Sequence, residues 1–373
     1  MGERSPGKQA LRRTSTQEGH LMERIGKGKG VAALLNGRAK KVTPKVVRAL
    51  QKALPEATVL VSRDLEQARR QARLIVEEHP YLVLCGGGDG TIAQLLNLLR
   101  EQGLRVFPTV GPLKLGTGNA WANSVGAGDF CKLVGQLPRL PRQLPTQTFN
   151  LLDVEGTLCH FAGLGWDGKV LNDYLRNLDK RSSQLFGSRL AMRFHKGLGG
   201  YLYAISRMSI PDEWRRLWTE GTPRLTLENA GQEAFTLDAH GNLVPWGGLA
   251  GLDPKLLYEG PVSVAASGTV AEFGFRLRVF PFARAKPGFV NVRVYAGSIG
   301  DALRTLPRLW MGRYPLEGMH DFFVKSARMR FSRPMPFEIG GDGAGERDLL
   351  ELSVAPETVE VVDWPTARDM ARS

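Results

Sequence analysis

The stretch Tyr81 to Thr91, YLVLCGGGDGT, constrains the fold more than any other part of the chain, because an apolar run ends there in a loop with almost no side chains. Tyr81, Leu82, Val83, Leu84 and Cys85 read as a strand covered on both faces. A short continuous apolar run bounded by a turn signal is the pattern of a central parallel strand. Gly86, Gly87, Gly88 and Gly90 then leave backbone N–H groups open to close approach by a ligand. Ile92 to Arg100 resumes apolar residues at helical spacing, so the loop lies between a strand end and a helix start, where phosphate binds favourably.

The segments on either side repeat this plan. Val31 to Asn36 reads as a first strand, Pro44 to Leu54 as a helix with proline in its first turn, Thr58 to Val61 as a second strand, and Leu65 to Glu78 as a second helix capped by Asp64. Strands alternating with helices imply right-handed crossovers and a parallel sheet whose ligands bind beyond the carboxyl ends of the strands. Asn36, Ser62 and the Gly86 to Thr91 loop fall at such ends. Val106 to Leu113 gives a further strand, and Leu115-Gly116-Thr117-Gly118-Asn119 follows as a second small-residue loop before a helix from Ala120.

After the proline-rich stretch Leu137 to Pro145, many short strands without intervening helices suggest an antiparallel sandwich. Those strands include Phe149 to Val154, Phe273 to Val279, Ala327 to Phe331 and Leu349 to Val354, with helices at Lys169 to Leu178, Ser188 to Met208 and Gly300 to Met311. The expected organisation is a flexible basic tail over 1–30, an α/β nucleotide-binding domain over 31–146 and a β-sandwich domain over 147–355. Residues 356–373 form a C-terminal segment that can return to the first domain.

Charge narrows the partner. The 373 residues carry 50 Lys and Arg against 37 Asp and Glu, a formal net charge of +13, which favours an anionic substrate or surface. Arg176 to Arg216 holds nine Lys and Arg against three acids, and Arg276 to Arg313 eight against Asp301 alone, with aromatic and aliphatic residues interleaved. That mixture suits a lipid headgroup layer and equally an ordinary solvated face. Cys85, Cys131 and Cys159 lack CxxC spacing, which argues against a disulfide scaffold or structural zinc. No run of about 18 apolar residues appears, so the expectation is a cytoplasmic protein acting peripherally at the membrane.

Two glycine-rich loops at strand ends of one sheet make a cradle wide enough for a nucleoside triphosphate, while a Walker A pattern is absent. Asp89, inside the first loop, is costly beside phosphates unless a divalent cation or a hydroxyl intervenes, which points to phosphoryl transfer. The competing reading is an Asx turn that stabilises the loop. Gly163 to Gly168 satisfies GxGxxG but lacks a strand–helix context for a dinucleotide. His160 and His195 show no metal-ligand spacing.

Gly87-Gly88-Asp89-Gly90-Thr91 and Leu115-Gly116-Thr117-Gly118-Asn119, about two dozen residues apart, resemble the GGDGT and LGTGN motifs of the diacylglycerol kinase catalytic-domain family. GGDGT alone also occurs in NAD kinases; the pair is more specific. The resemblance implies ATP, with Mg2+, bound between two domains and transfer of its γ-phosphoryl group to a lipid hydroxyl. It implies that Asn36, Ser62, Gly86, Gly87, Gly88, Asp89, Gly90 and Thr91 line the nucleotide site together with Gly116, Thr117, Gly118 and Asn119. Gly165-Trp166-Asp167 resembles the second domain's GxD, which makes Asp167 a substrate-side candidate. Gly341-Asp342-Gly343-Ala344-Gly345-Glu346 resembles the family's DGE segment with two extra residues, so either Asp342 or Glu346 is the proton acceptor, with Asp342 preferred. Lys114 stands where a proline is usual. Protein ligands for the magnesium are not assigned by these motifs.

The expected function is therefore an ATP-dependent lipid kinase at an anionic cytosolic membrane surface, acting on diacylglycerol, a sphingoid base or a related lipid. No specific nucleic acid is expected, and a homodimer is left open. The competing enzyme reading is an NAD kinase-like small-molecule kinase. A catalytically degenerate basic protein that binds membrane or nucleic acid is the competing reading of another class.

Overall fold

The computed structural model describes residues 24–116, 118–165, 219–272, 277–311, 314 and 316–372. Its N-terminal part is a parallel sheet with spatial order β4-β3-β1-β2, formed by β1 (Val31–Asn36), β2 (Thr58–Ser62), β3 (Leu82–Gly87) and β4 (Thr109–Lys114). Helices α1 (Pro44–Ala53), α2 (Leu65–Glu78) and α3 (Asp89–Glu101) make the crossovers. Thr43 and Asp64 cap α1 and α2 by accepting from the backbone N–H groups of Val46 and Gln67. β3 is buried along its whole length, as its unbroken apolar run requires in the middle of a parallel sheet.

Short helices α4 (Ala120–Ser124) and α5 (Phe130–Val134) lead into β5 (Thr146–Val154), β6 (Thr157–Cys159) and β7 (Phe161–Gly165). The strand-rich part continues with β8 (Arg224–Asn229), β9 (Ala234–Leu237), β10 (Leu243–Pro245), β11 (Leu256–Pro261), β12 (Val264–Gly268) and β13 (Val290–Tyr295). Helix α6 (Ile299–Met311) precedes β14 (Met319–Val324), β15 (Ser326–Ile339), β16 (Asp342–Val362) and α7 (Trp364–Met370). All the pairings among β7 to β15 are antiparallel, with alternate residues of β7, β13 and β15 entering one apolar core.

One strand joins the two parts. β16 starts in the hairpin with β15, pairs antiparallel with β5, and at Val361 lies parallel beside Val110 of β4. Helix α7 then packs on the first domain, where the fully buried Trp364 donates its indole N–H to the Pro112 carbonyl.

Several expectations change. Residues 24–30 are not a loose tail: Ile25 is buried, and Ile25 N–H and Gly26 N–H donate to the carbonyls of Leu140 and Pro138. The same bonds make Leu137 to Pro145 a packed segment, with Leu137 and Leu140 in the core. The strand expected from Val106 starts at Thr109, past Pro108, which has no N–H to give to a ladder. No strand covers 277–279, and 273–276 lie outside the described residues, as do the helices expected at 169–178 and 188–208. The short strands expected at 327–331 and 349–354 are parts of β15 and β16, whose bulges near Pro334, Pro336 and Pro356 break the pattern without ending the strands.

Candidate functional site

The carboxyl ends of the parallel strands form the site. Gly86 and Gly87 are the last residues of β3, and Asp89, Gly90 and Thr91 are the first turn of α3, so the expected loop shrinks to a single connecting residue, Gly88. That shortening turns the first N–H groups of α3 directly toward the strand ends, with no side-chain cap on them. Asn36 closes the end of β1: its amide donates to Thr91 Oγ1 over 3.2 Å and its carbonyl accepts from Arg38 N–H over 2.9 Å. Ser62, at the end of β2, is buried, and its carbonyl accepts from Gly37 N–H.

The second loop is locked to the first. Asn119 folds its side chain back onto Gly116, accepting from its N–H over 3.1 Å and donating to its carbonyl over 2.9 Å. Helix α4 therefore has no cap from its own Asn119, and Asp89 supplies one from across the gap. Ala120 N–H donates to Asp89 Oδ2 and Trp121 N–H to Asp89 Oδ1, each over 3.0 Å. The carboxylate anticipated as facing phosphate thus spends one lone pair of each oxygen in tying the two loops together. This is a turn-stabilising role between loops, wider than the local Asx turn weighed from sequence.

Glycine spacing shows which positions the protein itself demands. A Cβ on Gly116 would stand 2.2 Å from Gly88 Cα, one on Gly87 2.2 Å from Thr91 Oγ1, and one on Gly86 2.3 Å from a Leu35 methyl. A Cβ on Gly90 would meet nothing nearer than Asp342 Oδ2, at 3.7 Å, which is ordinary contact. Packing therefore does not require the glycine at 90. Bare backbone there leaves room between α3 and the β15–β16 hairpin.

That hairpin turns through Gly340 and Gly341, both at positive φ (61° and 90°), as a two-residue connection of the primed type needs. Ile339 and Asp342 are paired across it, which presents Asp342 beside the start of α3. Glu346 lies four positions further along β16, opposite Pro336. Of the two acids left open by the sequence, Asp342 is the one whose carboxylate stands against the glycine turn. Thr117 and Asp167 lie outside the described residues.

Sequence reasoning missed the groups flanking this edge. A cavity of about 490 Å3 is lined by Gly37, Thr43, Arg48, Val61, Arg63 and Gln67, beyond the ends of β1 and β2. Its arginines sit on elements that read only as ordinary amphipathic helix and strand end. His160 is buried against the Trp121 ring, centroids 5.8 Å apart. Burial holds its pKa below the ordinary 6.5, with the nearby Asp89 charge pulling it up. A lone histidine between two short strands carries no sequence signal of that neighbourhood.

Residues 33–147 match the family described as the diacylglycerol kinase catalytic domain. That match covers both glycine motifs. A putative diacylglycerol kinase from Bacillus anthracis str. Sterne superposes with a TM-score of 0.59 at 13% identity, over 90% of this chain and 98% of that one. Another from the same organism gives 0.59 at 14% identity over 90% and 98%, and a diacylglycerol kinase from it gives 0.54 at 13% over 90% and 97%. No curated protein sequence matches the chain. At such identities the structural likeness speaks for the fold, an α/β domain with parallel strands followed by an antiparallel strand-rich domain.

Proposed function

We propose, from the premise that residues 33–147 form a diacylglycerol kinase catalytic domain, that this chain transfers the γ-phosphoryl group of ATP to the hydroxyl of a membrane lipid. The observation that carries this reading is the meeting of the start of α3 with the β15–β16 hairpin at Gly90 and Asp342. Uncapped N–H groups at the start of α3 stand on one side and a carboxylate on the other, 3.7 Å from the position of a Gly90 Cβ.

In the proposed reaction the lipid hydroxyl oxygen forms a bond to the γ-phosphorus, the bond from that phosphorus to the bridging β-γ oxygen breaks, and ADP leaves with the electron pair. Asp342 accepts the hydroxyl proton. The N–H groups at the start of α3 hold the phosphates in line, so most of the acceleration comes from positioning and charge stabilisation. Asp89 acts at one remove by fixing the second loop against the first.

Magnesium fits a restricted role. Among the described residues no group of three His, Cys, Asp or Glu could hold a metal ion, and Asp89 is already engaged by two N–H groups. Such a donor set would suit Mg2+ held mainly by phosphate and water. When bound it supplies neutralisation of phosphate charge.

A lipid acceptor is favoured by the net charge of +13 and by a cavity of about 510 Å3 in the strand-rich part. Trp246, Leu249, Phe282, Leu316 and Met319 give that cavity an apolar side for an acyl chain, and Asp238, His240, Glu259 and His320 give it a polar one. No helix among the described residues is long and apolar enough to cross a membrane.

The test is transfer of labelled γ-phosphate to a panel of lipids in mixed micelles, with NAD included. Transfer to a lipid is expected; phosphorylation of NAD alone would overturn the lipid reading. Asp342→Asn is expected to lower turnover by about a hundredfold or more, as loss of a general base does, with ATP affinity near that of the wild type. Should Glu346→Gln do this and Asp342→Asn not, the base is Glu346.

A further inference from the structure

We infer that Lys114 is a phosphate-binding residue of the nucleotide site, which makes the cradle selective for a polyphosphate over the bare nucleoside; this inference rests on the nucleotide reading above. The register of the sheet carries it. Asn36 is paired with Ser62, Leu35 with Gly86, and Gly87 with Lys114, so Ser62, Asn36, Gly87 and Lys114 end four adjacent strands at one level. Paired residues on neighbouring strands direct their side chains to the same face.

The face is identified by Gly87. A Cβ there would run into Thr91 Oγ1 at 2.2 Å, so this face is the one on which the first turn of α3 sits. Thr91 fills the space above Gly87, with Asn36 bonded to it on one side over 3.2 Å and Lys114 on the other. Leu115, the next residue, turns the opposite way, close to where a Gly86 Cβ would point. Lys114 is thus half-buried at the end of β4, on the face of the sheet that carries the first turn of α3.

Electrostatics gives the lysine its task. Asp89 and Asp342 place two carboxylates at the edge of the same space. A triphosphate entering there adds several negative charges in partly dehydrated surroundings, where each uncompensated charge is expensive. A lysine is a compact cation with three donors on a four-carbon stem, suited to meet phosphate oxygens as a point charge. Its task is charge compensation, apart from the proton movement to Asp342.

The experiment is isothermal titration of the full chain with ATP, ADP, AMP and adenosine, with and without Mg2+, for wild type, Lys114→Met and Lys114→Arg. Lys114→Met is expected to weaken ATP and ADP binding about tenfold or more, as loss of one charge-assisted contact does, with adenosine unchanged and Lys114→Arg within a few-fold of wild type. Equal ATP affinity in Lys114→Met and wild type would overturn the assignment, as would an equal loss for adenosine. Wild type that binds no nucleotide overturns the kinase reading itself, which separates the two failures. Should Lys114→Met not fold, the lysine ammonium resonance missing from Lys114→Arg is followed in wild type as ATP is added; the absence of any shift overturns the proposal.

Discussion

At the scale of single residues, the glycines of the two motifs do different work, and substitution should separate them. Gly116→Ala forces a methyl group to within 2.2 Å of Gly88 Cα, which is backbone and cannot swing away. The two loops must part, at a cost of about 1–3 kcal/mol for overpacking, and thermal melting should register the loss. Gly90→Ala meets only Asp342 Oδ2 at 3.7 Å and adds a better helix former to the first turn of α3. Its stability should equal or exceed that of wild type by up to about 1 kcal/mol, while phosphoryl transfer falls. If Gly90→Ala keeps full activity, nothing occupies the space above that glycine during the reaction. The motif letters were legible in the sequence, and so was their place at strand ends. What they do to each other was not, because Asp89 reaches 31 positions ahead to cap α4, and no local pattern encodes that pairing. Asp342 was legible as the preferred of two acids, but not its position beside the start of α3, which the hairpin turn at Gly340 and Gly341 sets.

At the scale of elements, α3 is the strut between the phosphate edge and the strand-rich domain. Asn97 substitutes for a strand neighbour: its amide donates to the Leu158 carbonyl and its carbonyl accepts from Leu158 N–H, each over 2.8 Å. One turn on, Arg100 pairs with Asp153 over 2.6 Å and with the buried Glu357 over 3.4 Å, and Arg105 joins Glu357 over 2.7 Å. These contacts fix the far end of α3 to β5, β6 and β16, the last of which also carries Asp342. Asn97→Ala would leave Leu158 N–H and C=O buried without partners, at about 1–3 kcal/mol each before relaxation. A melting temperature lowered by several degrees and a drop in turnover larger than the drop in ATP affinity are expected. An unchanged melting curve would remove α3 from this role. The existence and type of α1, α2 and α3 were readable from apolar periodicity and caps, as Asp64 shows. The lengths of β15 and β16 were not, since prolines that signal breaks in a local window sit here at bulges, where the ladder is already open.

At the scale of the whole molecule, the net charge of +13 must be apportioned before it can be read as a membrane surface. The stretch from Arg276 to Arg313 looked like a headgroup face, but part of its charge is used internally. Arg293 is buried with its Nε and Nη2 on Asp321 and its Nη1 on the Val279 carbonyl and the Tyr314 hydroxyl, and Lys286 sits 3.7 Å from the Phe235 ring centroid. Arg284 lies over the Phe149 ring and donates to Gln147. These three hold the strand-rich part together and would keep their places whether or not a bilayer were near. Arg304 and Arg308 are both exposed on α6, four residues apart and so on one face of the helix, where Arg304 also pairs with the exposed Asp301 over 3.3 Å. Each basic side chain near an anionic leaflet contributes about 1 kcal/mol, and that attraction fades beyond about 8 Å at physiological ionic strength. Cosedimentation with vesicles containing phosphatidylserine is therefore expected at low salt, with loss at high salt and none with purely neutral vesicles. Arg304→Glu combined with Arg308→Glu should weaken it by more than tenfold. Binding that ignores both the salt and the double substitution would mean that α6 does not face the bilayer.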